Sequence, residues 1–147
     1  MKIYRLIKNT ILSLLSKRTI GSRILLINDN KILLVKHTYQ PGWYTIGGAV
    51  EKGESPLETI HRELAEEVGV TLNQPPKLFS VYYSNIEKRD DYVVLYIGNE
   101  YSQQECRSAE ILDKKWFPLD QLPDEITPAT KRRINEYIGK STISDKW

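Results

Sequence analysis

Residues 47–70 read GGAVEKGESPLETIHRELAEEVGV. The second half of this stretch has the local features of a helix. Ser55 is a good N-cap, Pro56 suits the first helical position, and Glu58 completes a Ser-x-x-Glu capping box. Gly69 is a typical left-handed residue at a helix C-terminus. The pattern therefore predicts a helix that begins at Ser55 and ends just before Gly69.

This predicted helix carries an apolar stripe and an acidic one. At 100° per residue, the apolar stripe contains Leu57, Ile60, Leu64 and Val68. Such a stripe faces the core. Next to it, within about 100° of one another, lie Glu63, Glu66 and Glu67, whereas Arg62 is expected to point elsewhere. Like charges this close destabilise a helix, and a bound divalent cation would remove the repulsion. Taken alone, however, the acidic stripe also fits an ordinary solvated helix face.

The residues around this helix favour a cation-binding site over a solvated helix face. Gly48, Glu54, Arg62-Glu63-Leu64, Glu66-Glu67 and Gly69-Val70 stand at the spacing of the Nudix box, and on these residues the chain resembles the Nudix hydrolase family. The resemblance continues before the box, at Pro41-Gly42-Trp43. It also continues after it, from Trp116-Phe117-Pro118-Leu119 to Leu122-Pro123. Most of the chain beyond its first twenty residues is covered.

The resemblance implies an α/β fold, namely a Nudix-type α/β/α sandwich with a mixed central sheet. It also implies hydrolysis of a nucleoside diphosphate linked to another group, with Mg²⁺ or Mn²⁺ as cofactor. Cations of this kind screen the charge of a diphosphate and activate water. Carried over residue by residue, the catalytic and metal-binding carboxylates are Glu63, Glu66 and Glu67. The carbonyl of Gly47 corresponds to a frequent metal ligand.

Four further residues complete the implied site. Glu54 and Arg62 correspond to the pair that braces the loop against the helix, and Gly48 lets the backbone approach the phosphates. Glu110 stands before Trp116, at about the place where some members carry another metal-binding or basic glutamate. The alternative for Glu110 is an ordinary surface side chain.

Apolar runs around the box predict the rest of the fold. Residues 22–28 and 31–37 flank Asp29-Asn30 and predict a β-hairpin. Further strands are predicted over residues 78–85, 92–98 and 115–119, and a terminal helix over residues 128–138.

The first 20 residues are predicted to form a separate arm, and residues 21–147 the Nudix domain. Within residues 1–16, apolar side chains recur at helical spacing, and they are Ile3, Leu6, Ile7, Ile11, Leu14 and Leu15. The favoured interpretation is an amphipathic helix docked on the domain's own core. The alternative is contact with an anionic membrane surface or with a partner. The stretch is shorter than the roughly 20 apolar residues that span a bilayer.

Charge and composition exclude several classes of protein. Six basic residues precede the first acidic one, Asp29, and the remainder holds 15 basic and 19 acidic residues. The body therefore lacks the clustered basic face of a nucleic-acid-binding protein, and no stable nucleic-acid complex is expected. The single cysteine, Cys106, excludes an internal disulfide framework and a Cys-based zinc site. With 147 residues and 40% hydrophobic composition, a single globular domain is expected. No targeting segment is recognisable beyond the arm, so a cytoplasmic location is expected.

Specificity lies outside the box, so the substrate stays open. The candidate substrate contacts are Arg23, Lys36, Tyr39, Trp43 and Tyr44. A small-molecule nucleotide is expected, with ADP-ribose or a related nucleotide sugar favoured over a modified nucleoside triphosphate. A non-catalytic nucleotide-binding module is the alternative from another class. The family often forms homodimers, so a homodimer is one state open to the chain.

Overall fold

The computed structural model describes residues 2–14 and 18–147. Its helices are α1 (Lys2–Leu14), α2 (Pro56–Glu63), which continues into a π-helical turn (Leu64–Val68), and α3 (Pro128–Tyr137). Its strands are β1 (Thr19–Asn28), β2 (Lys31–His37), β3 (Trp43–Tyr44), β4 (Ile46–Ala49), β5 (Val70–Leu72), β6 (Lys77–Ser84), β7 (Asp91–Gly98), β8 (Tyr101–Gln103) and β9 (Ile111–Pro118).

Strand β1 organises the main sheet. It runs parallel to β7, with Ile24 opposite Tyr96, and antiparallel to β4, with Ser22 opposite Gly48. The end of β1 pairs with β2 in a hairpin. Asp29 and Asn30 at the hairpin turn have φ of 45° and 60°, and these positive values suit the twist of a two-residue turn. The hairpin and the mixed sheet predicted from the sequence are confirmed.

Two apolar layers enclose this sheet. On one side α2 and its π-helical turn bury Ile60, Leu64 and Val68 against β1 and β2. On the other side Ile134 of α3 packs against Phe117 and its neighbours. Each fully buried side chain of this kind contributes roughly 1.5–3 kcal/mol. The layers form the predicted α/β/α arrangement, which places α2 and its carboxylates on one face of the sheet.

Three details differ from the sequence-based predictions. The predicted single helix is α2 followed by a wider turn, and Leu57 of the predicted stripe is only partly buried. Strands β5 and β8 form a separate two-stranded sheet that no sequence pattern indicated. Strand β9 begins at Ile111, several residues before the predicted start.

The N-terminal arm forms the predicted helix, but its predicted docking on the core is wrong. The apolar side chains Ile3 and Leu6 are 73% and 68% exposed. The helix contacts the body through polar groups instead, since Arg5 donates to Gln40 and Arg89 donates to Asn9. Leu15, also part of the predicted stripe, lies outside the described residues. Among the described residues, every helix is too short or too polar to cross a bilayer.

Candidate active site

Two glycines of strand β4 allow close approaches, Gly47 to β1 and Gly48 to α2. Gly47 has φ of +143°, and a Cβ there would overlap the backbone oxygen of Ser22. A Cβ on Gly48 would overlap Oε1 of Glu63 and lie 2.8 Å from its Cδ. Gly48 therefore leaves the space that the Glu63 carboxylate fills beside the strand.

The start of α2 is fixed by local hydrogen bonds. Glu58 N donates to Ser55 Oγ at 3.1 Å, and Ser55 N donates to Glu58 Oε2 at 2.7 Å. This is the predicted capping box. Ser22 Oγ on β1 donates to the carbonyl of Pro56 at 2.7 Å. The first turn of the helix is thereby tied to the central strand, and this fixes where the following carboxylates lie.

Arg62 holds the loop before α2. Its Nε lies 2.5 Å from Glu54 Oε1, and its Nη2 donates to Glu54 Oε2 at 3.0 Å. The Arg62 hydrogen bond lowers the pKa of Glu54 to about 2. Nη1 also contacts Glu63 at 3.1 Å and Glu66 at 3.3 Å. The prediction that Arg62 points away from the carboxylates is therefore wrong, because its fork spans the loop and the acidic stripe together.

Glu63 and Glu67 form the buried part of the acidic stripe. The Glu63 side chain is 12% exposed, and Glu67 is 5% exposed. Burial, together with the charge and the hydrogen bond of Glu63, raises the pKa of Glu67 well above its ordinary value. Oε2 of Glu67 is buried and has no hydrogen-bond partner among the described residues. Such a group is costly unless a proton or a cation lies beside it.

Glu66 is turned away from this pair. Its side chain is 59% exposed and its Oε2 contacts Arg62. Among the described residues, no three acidic, imidazole or thiol groups already surround a common point as metal ligands. The Glu66 carboxylate would have to break its contact with Arg62 before it could bind the same ion as Glu63 and Glu67. The unpartnered Glu67 oxygen, its carboxylate neighbour and the nearby backbone form an all-oxygen donor set, which fits Mg²⁺ or Mn²⁺.

Glu110 and Tyr39 lie beside the carboxylates. Burial, followed by the charges of Glu110 and Glu67, raises the pKa of Tyr39. Glu110 also contributes to the raised pKa of Glu67, and Arg23 opposes it. Backbone pairing fixes the position of Glu110, whose carbonyl accepts from Thr38 N at 2.9 Å. The structure therefore brings Arg23, Tyr39 and Glu110 into electrostatic reach of Glu67.

The other predicted substrate contacts do not join this group. Lys36 Nζ lies 2.6 Å from Glu125 Oε2 and 5.1 Å from the centre of the Trp43 ring. Trp43 belongs to the core on the α3 side of the sheet. Tyr44 packs against the core on the α2 side and contacts the ring of buried His37.

Two clefts lie near the site, one bordered by Glu67 and the other by Glu110, and both include residues that the sequence did not indicate. One, of about 440 Å³, is lined by Glu67, Cys106, Arg107 and Lys114 among others. The second, of about 360 Å³, lies between α1 and the loop after β2, and its lining includes Tyr4, Arg5, Lys8, Tyr39 and Glu110. Arg107 lies in a loop without a motif, and the α1 residues become neighbours only through the fold. For Arg107 and Lys114, the one available signal was a basic side chain in a body that has more acidic than basic residues.

Comparisons with known proteins agree with this geometry. The sequence model of the NUDIX domain family matches residues 17–137. A Bacillus subtilis protein provisionally named 8-oxo-dGTP diphosphatase is 30% identical over 120 residues, covering 81% of this chain and 79% of that protein. The NAD-capped RNA hydrolase NudC of Vibrio atlanticus is 30% identical over 131 residues, covering 80% of this chain. The chain spans only 43% of the length of that NudC.

Solved structures show the same fold. A MutT NUDIX hydrolase from Burkholderia pseudomallei has a TM-score of 0.71 at 25% identity, covering 81% of this chain and 97% of that one. A UDP-X diphosphatase has a TM-score of 0.69 at 26% identity, covering 85% of this chain and 65% of that one.

Proposed function

The chain belongs to the NUDIX family and is a hydrolase of phosphoanhydride bonds, and from this premise we propose that it cleaves the diphosphate of a nucleoside diphosphate linked to another group. One observation carries the proposal. A buried carboxylate oxygen of Glu67 lacks a hydrogen-bond partner in the described chain and lies next to a second buried carboxylate, Glu63. A divalent cation beside this oxygen would offset the cost of its burial and would also bind an anionic diphosphate.

In this proposal Glu63, Glu66 and Glu67 hold Mg²⁺ or Mn²⁺, together with the carbonyl of Gly47. The bound ion supplies charge neutralisation on the diphosphate and activation of the attacking water. The chain supplies the preorganisation: α2 is tied to β1 through Ser22, and Glu63 fits against Gly48. Fixed carboxylates cost little reorganisation during reaction, which is the main requirement of phosphoryl chemistry.

The remaining polar groups take supporting roles in the proposal. Arg62 positions Glu54 and thereby the loop between β4 and α2. Arg23, the cation whose charge acts on Glu67, is suited to contact a substrate phosphate. Glu110 is the candidate acceptor for the proton of water, because its charge acts on the same carboxylate and on Tyr39.

For the substrate, we favour ADP-ribose or a related nucleotide sugar. The cleft between Tyr39 and α1 combines two tyrosine rings with Arg5 and Lys8, and base–aromatic stacking contributes about 1–3 kcal/mol. A nucleoside triphosphate is the second candidate, because the relative named 8-oxo-dGTP diphosphatase matches over most of both chains. A non-catalytic binding module is less favoured, since all three glutamates of the box are present.

A cytoplasmic location, the homodimer and the absence of a stable nucleic-acid complex stay predictions. The last rests on the 15 basic and 19 acidic residues of the body.

The test is a product screen with a matched variant. The panel contains ADP-ribose, nucleotide sugars, NADH, dinucleoside polyphosphates, and canonical and oxidised triphosphates, each with Mg²⁺, with Mn²⁺ and with a chelator. Chromatography identifies the second product, which distinguishes the two candidates. Ribose 5-phosphate accompanies AMP when ADP-ribose is cleaved, and pyrophosphate accompanies the nucleoside monophosphate when a triphosphate is cleaved.

Glu67→Gln is expected to lower turnover on the order of 10²–10⁴-fold, with its circular dichroism unchanged. Glu100→Gln makes the same chemical change on an exposed residue and is expected to retain full turnover. Wild-type turnover in Glu67→Gln contradicts the assigned site. Inactivity of the unmodified protein across the panel favours the binding module.

A further inference from the structure

Helix α1 presents its apolar side chains to solvent. Ile3, Leu6, Ile7 and Ile11 are 73%, 68%, 52% and 51% exposed. At 3.6 residues per turn these four share one side of the helix. Thr10 lies within this side and satisfies its hydroxyl by donating to the carbonyl of Leu6 at 2.8 Å. An exposed, largely aliphatic face of this kind marks a surface that contacts something else.

The polar side of α1 faces the domain. Arg5 Nη1 donates to Gln40 Oε1 at 3.0 Å, and Asn9 Oδ1 accepts from Arg89. At 100° per residue, Arg5 points almost directly away from the middle of the apolar side, and Asn9 lies about 135° from it. Helix α1 therefore turns its polar side to the domain and its apolar side to solvent, which is the reverse of a helix that covers its own core. The apolar side is available to bind another molecule or a surface.

Charge distinguishes between two occupants. The first 20 residues contain five lysine and arginine side chains and no acidic or histidine side chain. Lys8 and Arg18 are exposed. A second copy packed through the same face would bring two basic arms together, and like charges across an interface oppose association. An anionic headgroup layer instead neutralises them.

We propose that α1 lies flat on an anionic lipid surface, with Ile3, Leu6, Ile7 and Ile11 inserted at the boundary between headgroups and acyl chains. Its 13 residues make a helix about 20 Å long, which suits an interfacial position rather than a spanning one. The contacts of Arg5 and Asn9 keep the rest of the domain on the aqueous side. The helix precedes the region that the family model matches, so the proposal concerns this chain's own extension.

The experiment is vesicle co-sedimentation of the full chain. Vesicles are made of phosphatidylcholine alone, or of phosphatidylcholine with about 30% phosphatidylglycerol, at low and at high salt. The test variant is Leu6→Gln with Ile7→Gln, because glutamine keeps a high helix propensity. The control is Leu78→Gln with Val81→Gln on β6, where the native side chains are 55% and 48% exposed.

The protein is expected to sediment with anionic vesicles, weakly with neutral ones, and less as salt screens the charges. The α1 variant is expected to lower the partition coefficient at least about tenfold, and the β6 control to stay within about twofold of the unmodified chain. Absence of binding to anionic vesicles at low salt overturns the proposal, as does an equal loss in both variants. A dimer in sedimentation analysis that only the α1 variant dissociates also overturns it, in favour of a second copy.

Discussion

Adjacent alanine substitutions at Gly47 and Gly48 are expected to damage different properties of the enzyme. A Cβ at Gly47 meets backbone, because it overlaps the oxygen of Ser22 and lies 2.8 Å from Cα of Arg23. A Cβ at Gly48 meets only the carboxylate of Glu63. The first substitution therefore disturbs the pairing of β1 with β4, whereas the second displaces one side chain of the site.

The size of each effect follows from these contacts. Gly47→Ala also forces φ of +143° on a residue with a side chain, so we expect a loss on the order of 2–4 kcal/mol in the free energy of unfolding. At Gly48 the new Cβ lies 2.8 Å from Glu63 Cδ, well inside an ordinary contact. The Glu63 carboxylate must therefore move by a large fraction of an ångström. Misplacement of about 1 Å can cost on the order of 10²-fold in rate, with less than about 1 kcal/mol in stability.

Urea unfolding and single-turnover hydrolysis of the best panel substrate measure the two properties. Gly48→Ala should unfold at the same urea concentration as the unmodified chain but hydrolyse substrate more slowly. Gly47→Ala should unfold at a lower urea concentration. The reasoning is refuted if Gly48→Ala hydrolyses substrate at the unmodified rate, or if both variants lose the same stability.

Charged groups near the site and in α3 give three more tests. In Glu54→Gln, the unfolding free energy should fall less between about pH 4.5 and 2 than in the unmodified chain, because Arg62 holds the pKa of the native carboxylate at about 2; urea titrations at pH 5 and 3 check this. Burial, then the charge of Arg23, lowers the pKa of His37 to about 4. The unmodified chain should therefore lose stability as the pH falls from about 6.5 to 4, and His37→Asn should lose less in thermal melts across that range. Glu136→Ala leaves buried Arg133 without its ion-pair partner and should cost about 3–5 kcal/mol in urea at pH 7; a cost below 1 kcal/mol contradicts this.

Local chemistry explains what the sequence could predict. The capping box fixes the start of α2 within four residues, and the hairpin turn needs only two residues with positive φ. Both features depend only on residues that are close together in the sequence, so the residue types at those positions are enough to predict them. Strands β5 and β8 are three residues each, which is too short to show periodicity. They form because the end of the π-helical turn and the end of β7 bring them together.

Long-range placement explains the rest. The surroundings of Glu110 depend on pairing with Thr38, 72 residues earlier in the chain. Lys36 and His37 are adjacent, yet a shift in the register of β2 and β9 lies between them, and only His37 packs beside Tyr39. For α1, periodicity predicted the amphipathic helix, but the side that meets the domain is set by Gln40 and Arg89. No pattern within residues 2–14 contains that information.

The π-helical turn after Glu63 limits how the chain length can vary. In that turn the NH of Gly69 reaches back to the carbonyl of Leu64 as well as to that of Ala65. A wide turn holds one residue more than an ordinary helical turn over the same axial distance. Adding or deleting a residue between Glu63 and Glu67 would rotate everything downstream by about a quarter of a revolution. Insertions that a surface loop would absorb are therefore excluded from this segment, and related enzymes that share the turn should differ here by substitution and never by length.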